Sequence, residues 1–168
     1  MSILTAILGE TEFELPTTLR VLGRVPQDNL DWTPHPKSMT IGRLAWHIAN
    51  IPSRVQAMLR AGDYDVAKAG PPPMPRDAQE IPATLQRNMD ELREYLRTLD
   101  DEALKAPFTL RHGDQVLQQI PKVAVLRSIL LNHTYHHRGQ LAVYLRLLDI
   151  PVPAIYGTSA DEGPLKKS

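Results

Sequence analysis

The chain has 168 residues, 42% hydrophobic and 23% charged, with 19 basic side chains balancing 19 acidic ones. That size and mixture suit one globular domain over residues 1–168 with a single core, and they argue against disorder. The even charge balance offers no footprint for sequence-independent nucleic-acid binding, no segment is apolar for long enough to span a bilayer, and the absence of cysteine removes disulfides and thiolate ligands.

The start, Met1-Ser2-Ile3 leading to Glu10, Glu12 and Glu14, has neither the basic residues nor the apolar stretch of a secretory signal, so a cytoplasmic location is expected. A first helix is predicted from Ile3 to about Gly23, with Leu4, Ile7, Leu8, Leu15, Leu19 and Leu22 at helical spacing and a bend at Pro16. From Pro26 to Pro36 prolines punctuate the chain around Asp31-Trp32-Thr33, giving an ordered loop over one end of the helices. The second helix begins at Thr40, a good N-cap, and ends at Gly62, where glycine suits a left-handed cap. The run Gly70-Pro71-Pro72-Pro73-Met74-Pro75 is a loop, because consecutive prolines supply no helical hydrogen bonds. A third helix covers about Thr84 to Leu99, with Leu85, Met89, Leu92, Leu96 and Leu99 on one face. Phe108 to Leu117 alternates around His112-Gly113-Asp114 and predicts a small hairpin or irregular loop. The fourth helix starts with Pro121 in its first turn and runs to Asp149-Ile150-Pro151, followed by an extended tail through Tyr156 and Glu162. Four helices with long connecting loops and almost no strand signal make an all-α four-helix bundle.

The inward stripe of the fourth helix reads Leu126, Leu130, His133, His137, Leu141, Tyr144 and Leu148, so two histidines occupy positions where leucine is expected. Residues four apart differ by about 40° around the axis and about 6 Å along it, which lets both imidazoles converge on one ion. The second helix reads Leu44, His47, Ile51, Val55 and Met58, a third core-facing imidazole. A lone histidine on such a stripe is usually a hydrogen-bonded core residue. Three in apolar layers need partners that leucines cannot supply, and a metal ion meets that need. His136 lies roughly 100° off the stripe and is expected to face elsewhere, while His35 and His112 are loop residues.

Thr134, not glutamate, follows His133, so the zinc-protease pattern does not apply. No Glu-x-x-His occurs either, which removes the paired-metal carboxylate site of some bundles. A mononuclear site held by His47, His133 and His137 at about 2.0–2.2 Å, with at least one ligand from outside the protein, is expected. Imidazoles suit zinc or nickel, and also copper and iron; manganese is a further possibility. Metal affinity is expected to fall below neutrality, because unperturbed histidine protonates near about 6.5.

Trp46-His47-Ile48-Ala49 and His133-Thr134-Tyr135-His136-His137-Arg138-Gly139-Gln140-Leu141 resemble the DinB (damage-inducible) family of the DinB/YfiT-like metalloenzyme superfamily, with further matches at Asp31-Trp32, Lys37-Ser38-Met39-Thr40 and Pro153-Ala154-Ile155-Tyr156-Gly157. The resemblance covers nearly the whole chain and implies a four-helix bundle whose metal ligands fall on His47, His133 and His137, commonly as a homodimer. It also implies a metal-dependent enzyme, with thiol S-transfer using a low-molecular-weight thiol as the leading reaction. Metal-dependent hydrolysis and a non-catalytic, stress-related metal-binding role are the alternatives. Trp46 and Tyr144 are expected pocket walls or core aromatics, and the partner is a small molecule rather than nucleic acid or membrane.

Overall fold

The computed structural model describes residues 2–70 and 72–163. Met1 of the expected leaderless start, Pro71 of the proline run and the last five residues of the expected domain span lie outside the described residues. Helix α1 spans Ile3–Leu22 and runs through Pro16; Ser2 caps its start through Thr5 N, and Asp101 accepts from the free amides of Ile3 and Leu4. Helix α2 spans Ile41–Ala61 with the expected ends: Thr40 Oγ1 accepts from Arg43 N, and Gly62 takes the left-handed conformation at φ 70°. The loop before it packs on its N-terminus, where Ile41 N donates to Trp32 O and Gly42 N to Leu30 O. Gly42 is required there, since a Cβ would stand 2.8 Å from the Leu30 carbonyl oxygen.

Helix α3 spans Glu80–Leu96, starting earlier than the periodicity suggested. Pro82 falls in its first turn, where amides have no helical acceptor to lose, and Ile81 is fully buried. A one-turn helix, α4 (Asp101–Lys105), was not legible as such. The segment around Gly113 is a hairpin: β2 (Pro107–His112) and β3 (Gln115–Pro121) pair antiparallel, with Gly113 at φ 59°. A strand absent from the sequence reading, β1 (Asp63–Asp65), adds in parallel to β2. Side chains hold this edge: Asp63 pairs with Arg111 at 2.6 Å, and Asp65 accepts from Gly113 N at 2.9 Å. This three-stranded sheet is minor beside the helical bundle.

The last helix, α5 (122–147), is continuous but not uniform. An α-turn, Lys122–Val125, leads into a π-helical segment, Leu126–Asn132, and then into α-helix His133–Leu147. Pro121 caps it from outside rather than occupying its first turn. Both α1 and α2 pack between α3 and α5, so the four long helices enclose a core that includes Leu22, Leu44, Ile48, Leu59, Leu92 and Leu126. Among the described residues no helix is long and apolar enough to cross a membrane.

The inward face of α5 is wider than the expected stripe. Leu131, Arg138 and Leu145 are buried with it, at 3%, 1% and 0% exposure. The π turn carries about one extra residue per loop of hydrogen bonding, which lets adjacent Leu130 and Leu131 both face inward. Arg138 is the most consequential residue missed. Its guanidinium pairs with Glu14 at 2.7 Å, donates to Thr18 Oγ1 and to Tyr156 OH, and lies over the Tyr135 and Tyr156 rings. The tail that supplies Tyr156 is irregular rather than extended; Glu162 fastens it to Arg20 and Arg24 on or just beyond α1 and accepts from Ala154 N.

A buried pair that loses one partner leaves an uncompensated charge, costing about 3–5 kcal/mol, whereas an exposed pair contributes under about 1 kcal/mol. Urea unfolding should therefore show Glu14→Ala destabilised by about 3 kcal/mol or more. Arg127→Ala, which breaks the exposed Arg127–Glu10 pair, should lose less than about 1 kcal/mol. Equal effects would contradict this placement of the buried charge.

Candidate metal centre

His47 projects from α2 toward α5, and His133 and His137 project back from successive turns of α5. The three rings meet. His133 Nε2 lies 3.0 Å from His47 Nε2 and 2.6 Å from His137 Nε2, with ring centroids 4.4–5.0 Å apart. Thus the three histidines singled out from sequence do come together, and among the described residues they form a group that can hold a metal ion. Among the described residues no carboxylate joins it.

His137 Nδ1–H donates to Gln140 Oε1 at 2.7 Å, which turns its Nε2 lone pair toward the other rings. Gln140 is thus a positioning residue, legible only as a neighbour one turn along from His137. An imidazole nitrogen has one in-plane direction, carrying either a proton or a lone pair. His133 Nε2 cannot satisfy two nitrogens at once. A cation between the rings satisfies all three lone pairs, so the donor set fits a divalent ion such as zinc.

The electrostatics favour neutral, metal-ready ligands. Burial, then the charges that His137, His133 and Arg54 would present, pushes His47 down to about 4. Burial, followed by His137, His136 and Arg54, likewise pushes His133 down to about 4. Burial lowers His137 as well, against the raising effect of its bond to Gln140. Proton competition with a metal is thereby displaced to more acidic pH than the unperturbed histidine value suggested.

His136 is exposed, its ring edge-on to His137 at 4.9 Å, at the rim and outside the cluster. His35 and His112 are exposed loop and hairpin residues; His35 Nδ1 accepts from Lys37 N. Trp46 and Tyr144 separate in role. Tyr144 packs edge-to-face on Trp32 at 5.8 Å, whereas Trp46 lines a cleft of about 230 Å³ shared with His47, Asn50, Arg43 and Arg54.

The family model described as the DinB superfamily matches residues 10–141. An uncharacterized protein of Bacillus subtilis (strain 168), YrdA, is 29% identical over 160 residues, spanning 92% of this chain and 89% of that one. Among solved structures, a DinB-like protein from Bacillus cereus ATCC 10987 superposes with a TM-score of 0.70 at 23% identity, covering 89% of this chain and 95% of its own. The B. subtilis DinB-like protein YjoA gives 0.66 at 16% identity, with 89% and 96% covered. B. subtilis YfiT, described as a probable metal-dependent hydrolase with an unusual four-helix bundle topology, gives 0.54 at 17% identity, with 83% and 87% covered. At these identities the structures establish the shared bundle fold.

The lowered histidines set a pH dependence. In the unfolded chain each imidazole protonates near about 6.5, whereas in the fold His47 and His133 do so only near 4. Between those values the unfolded state holds more protons, so stability falls as pH drops through that window and is unaffected above it. Calorimetry on metal-free protein should show a melting temperature that declines between about pH 6.5 and 4, and a shallower decline in His133→Leu. Identical profiles would show that His133 protonates as freely in the fold as in water.

Proposed function

Because the chain belongs to the DinB superfamily, we propose that it is a metal-dependent enzyme in which His47, His133 and His137 hold one divalent ion, zinc or nickel before iron, copper or manganese. The observation that carries this reading is the convergence of three Nε2 atoms, unaccompanied by any carboxylate among the described residues, beside an open cleft. Three neutral protein ligands are the pattern of a catalytic site, which leaves a coordination position for substrate. The ion, when bound, supplies Lewis acidity that lowers the pKa of a coordinated thiol or water.

Thiol S-transfer is the leading reaction. The chain has no cysteine, so the thiol is a small molecule from outside, and the cleft along α2 gives it access to His47. Within the chain, Gln140 holds His137 in the metal-ready tautomer, and burial keeps the imidazoles neutral. Metal-dependent hydrolysis is the second reading, supported by the description of the fold relative YfiT. Three loop carboxylates give it little help as a base: Asp161 is bound to Arg146 and Val152 N, Asp114 sits in the hairpin turn beside Arg111, and Asp31 is exposed. A non-catalytic, stress-related metal-binding role is the third, and the open cleft weighs against it. A homodimer belongs to the same proposal, with outward Phe13 of α1 and Val143 and Leu147 of α5 as apolar contacts.

Metal titration distinguishes ligand from neighbour. His137→Ala should abolish tight binding and His136→Ala should leave it intact, with chelation lowering the melting temperature of the wild type; the reverse order of the two variants refutes the ligand set. Metal-loaded protein mixed with a panel of thiols and electrophiles should exceed the rate of free metal. Ester or amide hydrolysis that tracks metal content, without thiol transfer, would replace the first reading by the second. Sedimentation at micromolar concentration should give twice the chain mass, and a monomer mass rejects the dimer.

A further inference from the structure

The cleft beside His47 is unusual in its charge. Arg43, His47, Asn50 and Arg54 follow one another at steps of four, three and four along α2, which places them on one face of the helix. That face lines the cleft, together with Trp46, Met39 and Pro72, and among the described residues no acidic one does so. The overall charge of the chain is balanced, so this cationic wall is a local feature.

Arg54 is half-buried. The other arginines withdrawn from full exposure, Arg20, Arg93, Arg111 and Arg138, each have a carboxylate partner. Arg54 has none among the described residues. Its guanidinium presents five N–H donors in a planar fork that matches carboxylate or phosphoryl oxygens. Arg43, exposed at the same cleft, likewise has no carboxylate partner there. Arg54 is thus a partly desolvated cation without an acceptor, which is costly to maintain, and an anion entering the cleft satisfies it.

We propose that Arg54 and Arg43, with Trp46 at their side, form an anion-binding subsite, and that the substrate is a small molecule bearing a carboxylate or phosphoryl group. The cleft volume of about 230 Å³ is of a size for a small molecule. Placing the reacting end of that molecule at the imidazole cluster rests on the metal-enzyme reading above; the anion subsite itself does not. Arg54 is a substrate-binding residue in this assignment, with Arg43 strengthening the local field at the mouth.

The test is isothermal titration of metal-free protein with succinate and, separately, with inorganic phosphate. Wild type should bind at least one of them, more weakly as salt is raised. Arg54→Gln should weaken that binding by about tenfold or more, and Arg43→Gln by a few-fold, with the helical content read by circular dichroism unchanged in both variants. Binding of succinate alone identifies a carboxylate substrate, and binding of phosphate alone a phosphoryl one. Wild-type binding of neither anion, or affinities unchanged in Arg54→Gln, overturns the proposal. Should Arg54→Gln fail to fold, exposed Arg43→Gln decides, since unchanged affinity there also overturns it. If the anion binds through Arg54 while no metal binds the histidines, the subsite stands and the metal-enzyme reading falls.

Discussion

Helix α5 has to hold a guanidinium inside the bundle, and the surrounding structure is arranged to satisfy it. Arg138 is 1% exposed, and an ion so placed costs several kcal/mol unless paired and hydrogen-bonded. Glu14 and Thr18 meet it from α1 and Tyr156 meets it from the tail, so α1 must lie beside α5 and the chain must fold back after Pro151. The rotation of α5 about its own axis follows. With Arg138 turned to α1, the preceding residue, His137, is about 100° away, and it faces α2. The ion pair and the histidine cluster are therefore two faces of one constraint.

The π-helical segment prepares the same arrangement. His133 N donates to Ser128 O, five residues back, at the point where the wider winding ends. Such segments are uncommon and cluster at functional sites. Here it lets Leu126, Leu130 and Leu131 all reach the core, and it hands over to regular α-helix at His133, so that His133 and His137 keep the four-residue step their convergence needs.

Around the histidines charge is left uncompensated. The ligand candidates are neutral and no carboxylate joins them, and Arg43 and Arg54 add positive potential to the adjoining cleft. Buried and half-buried carboxylates elsewhere include structural partners of arginine, as in Asp63–Arg111 and Glu14–Arg138. Positive potential of this kind favours negative charge on a molecule that enters the cleft. The same separation explains why burial and cationic neighbours both lower the histidines.

The sequence by itself determined what depends on local periodicity and on residue chemistry. The long helices follow from apolar spacing, the ends of α2 from Thr40 and Gly62, the hairpin from alternation around Gly113, and the candidate ligands from imidazoles standing in leucine positions. Other features depend on partners distant in the chain. Strand β1 exists because β2 and Arg111 receive it. Arg138 could be buried only because Glu14 is more than a hundred residues away in sequence and 2.7 Å away in space. Winding of α5 in its π segment breaks the regular period that a sequence pattern assumes, and the role of Gln140 rests on a ring orientation. The cationic cleft emerged only when Arg54 proved half-buried without a partner. Periodicity specifies which face of a helix turns inward; which charges are neutralised there is decided by contacts between elements, where desolvation is largest and a single partner changes the sign of the outcome.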